Sequence, residues 1–441
     1  MSDVHSESSI AYVRTKEVPV QPAPVNTSGL NGWVLNNLVP TPIQAIVSAI
    51  LVFLVVYYVL IPVIDWSIIK AVWSGESRDA CVGEGRQDGA CWAMAGAKFG
   101  QWIYGFYPIG ERWRVNIAFV LGILGLIPLL MPSMPHKKLN AIFMLGIYPV
   151  LTLILLSGGH FDIGTSTWIT VAILTALVVG PILFLGLGAK IIDPKIAITV
   201  SAVIVAIVLA LLIVLSINFG LSHVETDKWG GLLLTLVVAI TGIVASLPIG
   251  ILLALGRRSS MPVVKLFSVI FIELWRGVPL ITVLFMASVM LPLFLPDGVS
   301  FDKLLRALIG VTLFSAAYMA EVVRGGLQAI PKGQTEAAQA LGLTFWQNMG
   351  LITLPQALKL VIPGIVNTFI GLFKDTTLVG IIGLYDLLLI IKAANTDQNW
   401  AAPQTNSTGL FTAAAIFWIF CFGMSRYSMF MERKLDTGHR K

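Results

Sequence analysis

The 441-residue sequence predicts an all-α, polytopic membrane protein of about ten transmembrane helices, and three observations carry that reading. Hydrophobic side chains make up 56% of the chain and charged ones 12%, whereas soluble domains carry about a quarter charged residues. Mean hydropathy is +0.86. Uncharged runs of about 20 residues, each able to cross about 30 Å of hydrocarbon as a helix, recur from end to end.

In chain order, residues 1–42 are polar and interrupted by Pro19, Pro22 and Pro24. They lack the apolar content to pack, so a disordered segment is expected. Spans are expected at about 43–64, 115–131, 139–157, 167–187 and 196–217, and then at 230–255, 264–291, 304–323, 360–382 and 410–428. The first apolar run begins too late and runs too long for a cleaved signal peptide. Ten crossings place both termini on one side.

The net charge of +6 lies in short clusters between apolar runs, without a basic stripe or interleaved aromatics, so no nucleic-acid partner is expected. Those clusters orient the chain instead. Lys137, Lys138, Lys190, Lys195, Arg257, Arg258, Lys265 and the tail residues Arg433, Lys434, Arg440 and Lys441 fall on one side. The opposite short loops, 158–166, 218–229 and 292–303, carry only Lys228 and Lys303. The first set reads as cytoplasmic. The outer loop 65–114 breaks the trend, but long loops cross membranes largely regardless of charge.

Within that outer loop Cys81 and Cys91 have nine residues between them. In an oxidising compartment they are a candidate disulfide, with two free thiols as the alternative, because spacing alone does not fix bridge geometry. The aromatic stretch from Trp92 through Trp102 and Tyr107 to Trp113 reads as an interfacial belt or a helix on the membrane surface. Cys421 reads as a small buried apolar residue.

Missing motifs narrow the function. There is no GxxxxGK[ST], no HExxH and no Gly-x-Ser-x-Gly, so no nucleotide-phosphate loop and no catalytic set is expected in this chain. No metal site or cofactor is expected, and any ATP used for transport is bound by another chain.

Between the eighth and ninth spans lies a polar cytoplasmic stretch, Glu321 to Leu358. Pro331 can open a helix, Ala337, Ala338 and Ala340 propagate it, and Gly342 can end it in a left-handed cap. The result is a slim rod over Gln334–Leu343, suited to a groove on another protein. With Glu336-Ala337-Ala338, Leu341 and Gly342, and then Leu354-Pro355, the segment resembles the EAA loop of ABC-importer permeases. The resemblance covers 224–441 and extends to IELWRGVPLITVLF from Ile272, AAYMAEVVRGGLQAIPKGQTEAAQALGL from Ala316 and FKDTTLVGIIGLYDL from Phe373. It looks like the polar-amino-acid branch. The extra front, 43–220, resembles the larger permease subunit of general L-amino-acid importers.

The resemblance implies a type I importer core in the C-terminal half and a coupling loop over 324–356 that docks on an ATPase. It also implies a bacterial inner-membrane location and an assembly with two ATPase copies, a second permease and a periplasmic amino-acid-binding protein. Lipid surrounds the spans and an amino acid is the cargo. Gln334, Glu336, Ala337, Ala338, Ala340, Leu341, Gly342, Leu354 and Pro355 become the ATPase-coupling residues.

Charges inside spans are costly and so are functional candidates. Glu273 and Arg276, three apart in the seventh span, are expected to compensate each other. They line a pathway or form a structural ion pair at a helix contact. Pro279 should loosen that span. Lys374 and Asp375 point about 100° apart and must find partners elsewhere; pathway lining, a subunit contact and snorkelling stay open for them. Arg306, Glu321 and Arg324 near span ends read as snorkelling or anchoring groups; Glu321 and Arg324 also belong to the segment that resembles the permeases, and bracing of the coupling loop stays open for them. An ion-gradient-driven secondary transporter accounts for the spans and the buried charges but not for the EAA loop.

Overall fold

A computed structural model describes residues 29–83, 88–159, 161, 164–188, 193–294 and 301–435. Among them there is no strand, only three isolated bridges. The chain divides into two compact units, 1–71 and 72–441. In the first, Gly29–Asn37 (α1) is helical, so the disorder expected over 1–42 does not hold for these nine residues; Trp33, Val34 and Leu35 supply apolar content that the stretch before them lacks. Residues 1–28 lie outside the described residues. Pro42–Ile69 (α2) follows as an apolar helix long enough to span a membrane. Pro42 sits in its first turn, and the Thr41 hydroxyl accepts the Gln44 N–H as an N-cap.

The second unit begins with an extramembrane insert, 72–108, containing helix Trp92–Tyr104 (α3). Four candidate spans come next: Ile109–Leu130 (α4), Lys137–Ser157 (α5), Trp168–Gly188 (α6) and Pro194–Ser216 (α7). Gly231–Arg257 (α8) opens the last part of the chain. The expected seventh span is broken into Pro262–Gly277 (α9) and Leu280–Phe294 (α10), bent by 103°. Val278 and Pro279 are extended at the break. Proline lacks the N–H that would bond back into α9 and its ring crowds the preceding turn, which turns the expected loosening into a corner.

Lys303–Ala329 (α11) follows, then the short helix Lys332–Ala340 (α12). Leu354–Leu360 (α13) leads into the span Ile362–Ile382 (α14). A short apolar helix, Leu387–Thr396 (α15), and Thr405–Leu435 (α16) complete the described chain. Nine helices qualify as spans among the described residues, or ten with the bent pair taken as one. Lys190, Arg440 and Lys441 lie outside the described residues.

Helices α8 and α11 form the centre of this half. A Cβ on Gly242 would sit 3.2 Å from Val311, and one on Gly250 would sit 2.7 Å from Met319. The step is eight residues in both helices and in the same sense, so α8 and α11 run parallel. The connecting chain must therefore return across the membrane, and α9 with α10 makes that crossing. Small residues permit the close approach, as in helix pairs packed in lipid.

The insert is anchored on the helices that follow it, and part of its aromatic stretch is buried there. Trp102 and Tyr107 are fully buried, and α3 packs against α8, α15 and α16. Backbone contacts fasten it: the Phe106 N–H donates to Lys228 O, the Arg78 N–H to Asn399 O, and the Cys91 N–H to Thr408 Oγ1. Phe99, Phe106 and Trp113 keep exposed faces. Cys81 and Cys91 are buried and joined, with Cα atoms 5.8 Å apart.

Candidate functional site

The coupling segment is built from local signals. Pro331 occupies the N-cap position of α12. At the other end Gly342 has φ +75°, which only glycine adopts without strain. The Gly342 N–H donates to Gln339 O at 2.9 Å and the Leu343 N–H to Ala338 O at 3.1 Å, the paired bonds of a Schellman cap. Thr344 then starts a new turn, Phe345–Asn348, through a capping box with Gln347. A π-turn, Met349–Thr353, leads into α13.

One face of α12 points inward and the other outward. Ala338 is buried, whereas Gln334, Glu336, Ala337 and Ala340 are exposed. Gln356 bridges Gln334 Oε1 at 3.5 Å and Ile352 O at 3.0 Å, linking α12 to the segment that carries Leu354 and Pro355. Leu354 packs on the core cluster around Ala316, Ala320 and Val323, while Pro355 is exposed. Among the described residues no cation lies within ion-pairing distance of Glu336. Leu341, Phe345, Trp346 and Leu351, in the chain that follows α12, are all exposed.

Behind this segment the structure assembles a charge cluster that the sequence did not predict. Arg257, the last residue of α8, places Nη1 2.9 Å from Glu273 Oε1 and 2.9 Å from Glu321 Oε1. Arg324 holds the same Glu321 at 2.7 Å through Nη2 and 2.9 Å through Nε. Arg276 lies 3.9 Å from Glu321 and 5.6 Å from the Tyr318 ring centroid. The expected Glu273–Arg276 pair is absent among the described residues: each turns to a neighbouring helix. Glu273 lies eleven residues into α9, about 16 Å along it, yet it meets the end of α8. Helix α9 therefore crosses the end of α8 rather than retracing it. Glu321 and Arg324 are network members rather than snorkelling groups. Arg306, too, turns inward and donates to Ser288 O.

Lys374 and Asp375 are not brought to this cluster. They lie at the C-terminal end of helix Ile362–Asp375, about 20 Å along α14 from its start, and neither is in an ion pair among the described residues. The reading that their partners lie elsewhere therefore stays open.

The signal that could have found the cluster is the recurrence of charges near the C-terminal ends of three successive helices, Arg257, Glu273 with Arg276, and Glu321 with Arg324. What was missing was the parallel register of α8 and α11. The arrangement joins the ends of three helices, α8, α9 and α11, through ion pairs.

Residues 246–437 match the family described as "Binding-protein-dependent transport system inner membrane component". The inner membrane amino-acid ABC transporter permease protein YhdY of Escherichia coli is 44% identical, over 95% of this chain and 97% of its own. The glutamate/glutamine/aspartate/asparagine transport system permease protein BztC of Rhodobacter capsulatus is 42% identical, over 98% of this chain and 100% of its own. Among solved structures, an amino acid ABC transporter crystallised with histidines aligns over 45% of this chain and 90% of its own, at 28% identity and a TM-score of 0.41. With relatives similar along nearly its whole length and an exposed helical element where the EAA segment falls, this chain belongs to the amino-acid ABC transporter permeases, membrane components of binding-protein-dependent transport systems.

Proposed function

We propose that the chain is a pathway subunit of a broad-range importer of polar L-amino acids, driven by ATP that a separate chain hydrolyses. The observation that carries this reading is the coupling segment: a short, capped helix with an unpaired, exposed Glu336, followed by exposed apolar residues. Two ATPase copies, a second permease and a periplasmic amino-acid-binding protein complete the assembly. Gln334, Glu336, Ala337, Ala340, Leu341, Gly342 and Pro355 engage the ATPase, whose closure on ATP moves α12 and switches access, while buried Ala338 and core-packed Leu354 hold the segment on the permease. Glu273, Arg276, Lys374 and Asp375 are the pathway candidates. Lys137, Lys138, Arg257, Arg258, Lys265, Arg433 and Lys434 place both termini in the cytoplasm of a bacterial cell.

The similarity to BztC, whose name gives glutamate, glutamine, aspartate and asparagine, supports polar cargo. A depletion profile, amino acid by amino acid, with and without this chain, reads the range directly. Gly342→Pro forces φ to about −65° where the backbone needs +75°; Glu336→Lys reverses the exposed charge. Both variants should insert in the membrane, lose ATPase on co-purification and abolish uptake. Wild-type-like transport by both contradicts the coupling role. Uptake that survives ATP depletion and stops when ion gradients collapse replaces the reading with a secondary transporter.

A further inference from the structure

The break in the seventh span and the coupling helix are far apart in sequence, and one carboxylate lies between them. Arg276 is the residue immediately before Gly277, where α9 ends and the extended pair Val278–Pro279 turns the chain through 103° into α10. Glu321 belongs to α11, an unbroken helix of 27 residues that ends at Ala329, three positions before α12 begins at Lys332. A Cβ on Gly326 would lie 2.6 Å from Ala357 O, so the same end of α11 is also packed tightly on α13. The end of α11 is thus tied to the coupling segment both along the chain and through this contact.

Within the cluster the contacts are unequal. Arg257 and Arg324 hold Glu321 at 2.9 and 2.7 Å, whereas Arg276 stands at 3.9 Å, beyond hydrogen-bond reach. Three guanidiniums share two carboxylates, and the second, Glu273, is itself more than half exposed. Without the Glu321 charge, Arg257, Arg276 and Arg324 face one another with Glu273 as their remaining counter-charge, and the ends of α8, α9 and α11 repel.

We propose that Glu321 is a positioning residue for access switching: through Arg276 it ties the α9–α10 break to the coupling end of α11, so that displacement of α12 reaches residues 277–279. The tight pairs with Arg257 and Arg324 keep Glu321 in place, and the longer contact to Arg276 is the one that makes and breaks. A switch of this kind needs contacts that differ between the two access states, and a pair at 3.9 Å over a helix break satisfies that requirement. The inference rests on the ATP-driven reading above.

The test uses the complete importer in proteoliposomes and reads ATP hydrolysed per amino acid imported, a ratio that a purely structural role does not change in the assembled complex. Glu321→Gln and Arg276→Gln should each raise the ratio about tenfold, within the range of mutations along coupling networks. The double variant should be no worse than Glu321→Gln alone, because both remove one link. Arg276→Lys, which keeps the charge, should restore most of the coupling. An unchanged ratio in Arg276→Gln, or effects that multiply in the double variant, overturns the proposal. If Glu321→Gln fails to assemble, the two Arg276 variants decide the matter, since that side chain is 36% exposed and its loss opens no cavity. A wild-type complex without ATP-dependent uptake would instead sink the functional reading, so the two failures are distinguishable.

Discussion

Helices α7 and α11 invert the rule that holds in water. The most apolar window of α7 has a mean hydropathy of 3.2 and 6% of it is buried; in α11 the values are 1.4 and 56%. In a soluble protein the greasier helix would be the buried one. In lipid, apolar side chains gain nothing by leaving the solvent, so helices associate through close packing and polar contacts. Helix α11 buries Ala307, Gly310, Ser315, Ala316, Ala317, Ala320 and Gly326, which let α8 and α13 approach. In this permease, apolarity marks the lipid-facing surface and small or charged residues mark the machinery.

The sharpest way to break that comparison is a pair of enlargements. Gly250→Leu drives a side chain into Met319, where even a Cβ would be 2.7 Å away. It should cost about 3 kcal/mol or more, enough to lose assembled protein. Ala206→Leu adds similar bulk to an exposed position on α7 and should change stability by less than about 0.5 kcal/mol. Thermal unfolding in detergent distinguishes them. Equal effects would mean that α7 is as tightly packed as α11.

A second test concerns the insert, which precedes α4 in sequence yet is bound to α8, α15 and α16. Cys81→Ser with Cys91→Ser opens a short loop whose closure is worth about 2–3 kcal/mol in the chain-entropy model. Hydrogen exchange should rise across 72–108 and at the first turn of α16, where the Cys91 N–H meets Thr408 Oγ1 at 2.9 Å. Exchange confined to the insert would show that it rides on the permease helices without bracing them.

What the sequence disclosed follows how local each cause is. The ends of α12 were legible because Pro331 and Gly342 act within one turn. The spans were legible because hydrocarbon thickness fixes their length. Pro279 marked a weak point, but a corner of 103° depends on how α9 crosses α8. Of the partners of Glu321 only Arg324, three residues on in the same helix, was within local reach; Arg257 and Arg276 come from helices whose register no local pattern records. The burial of Trp102 and Tyr107 was not legible for a related reason: an interfacial belt and a protein-buried face have the same composition, and only the partner tells them apart.

Asp386 offers the mildest test, at a helix that resembles α11 in being apolar yet enclosed by protein. Its carboxylate is fully buried and caps α15, accepting the Leu388 N–H at 2.9 Å and the Leu389 N–H at 3.3 Å. Burial pushes its pKa up to about 6, with the backbone donors and Lys392 opposing. The folded value lies above the ordinary aspartate value near 4, so the folded state binds the proton more tightly. Its contribution to stability is therefore full below about pH 4 and is lost as pH rises through about 6. Asn caps helices about as well as Asp and carries no charge. Asp386→Asn should accordingly raise stability by about 2–3 kcal/mol at pH 7.5, with the gain shrinking toward zero near pH 4. Unfolding curves of the two proteins between pH 4 and 8 measure it. A gain independent of pH would show that the carboxylate is solvated there, and α15 would then belong with the exposed helices rather than the enclosed ones.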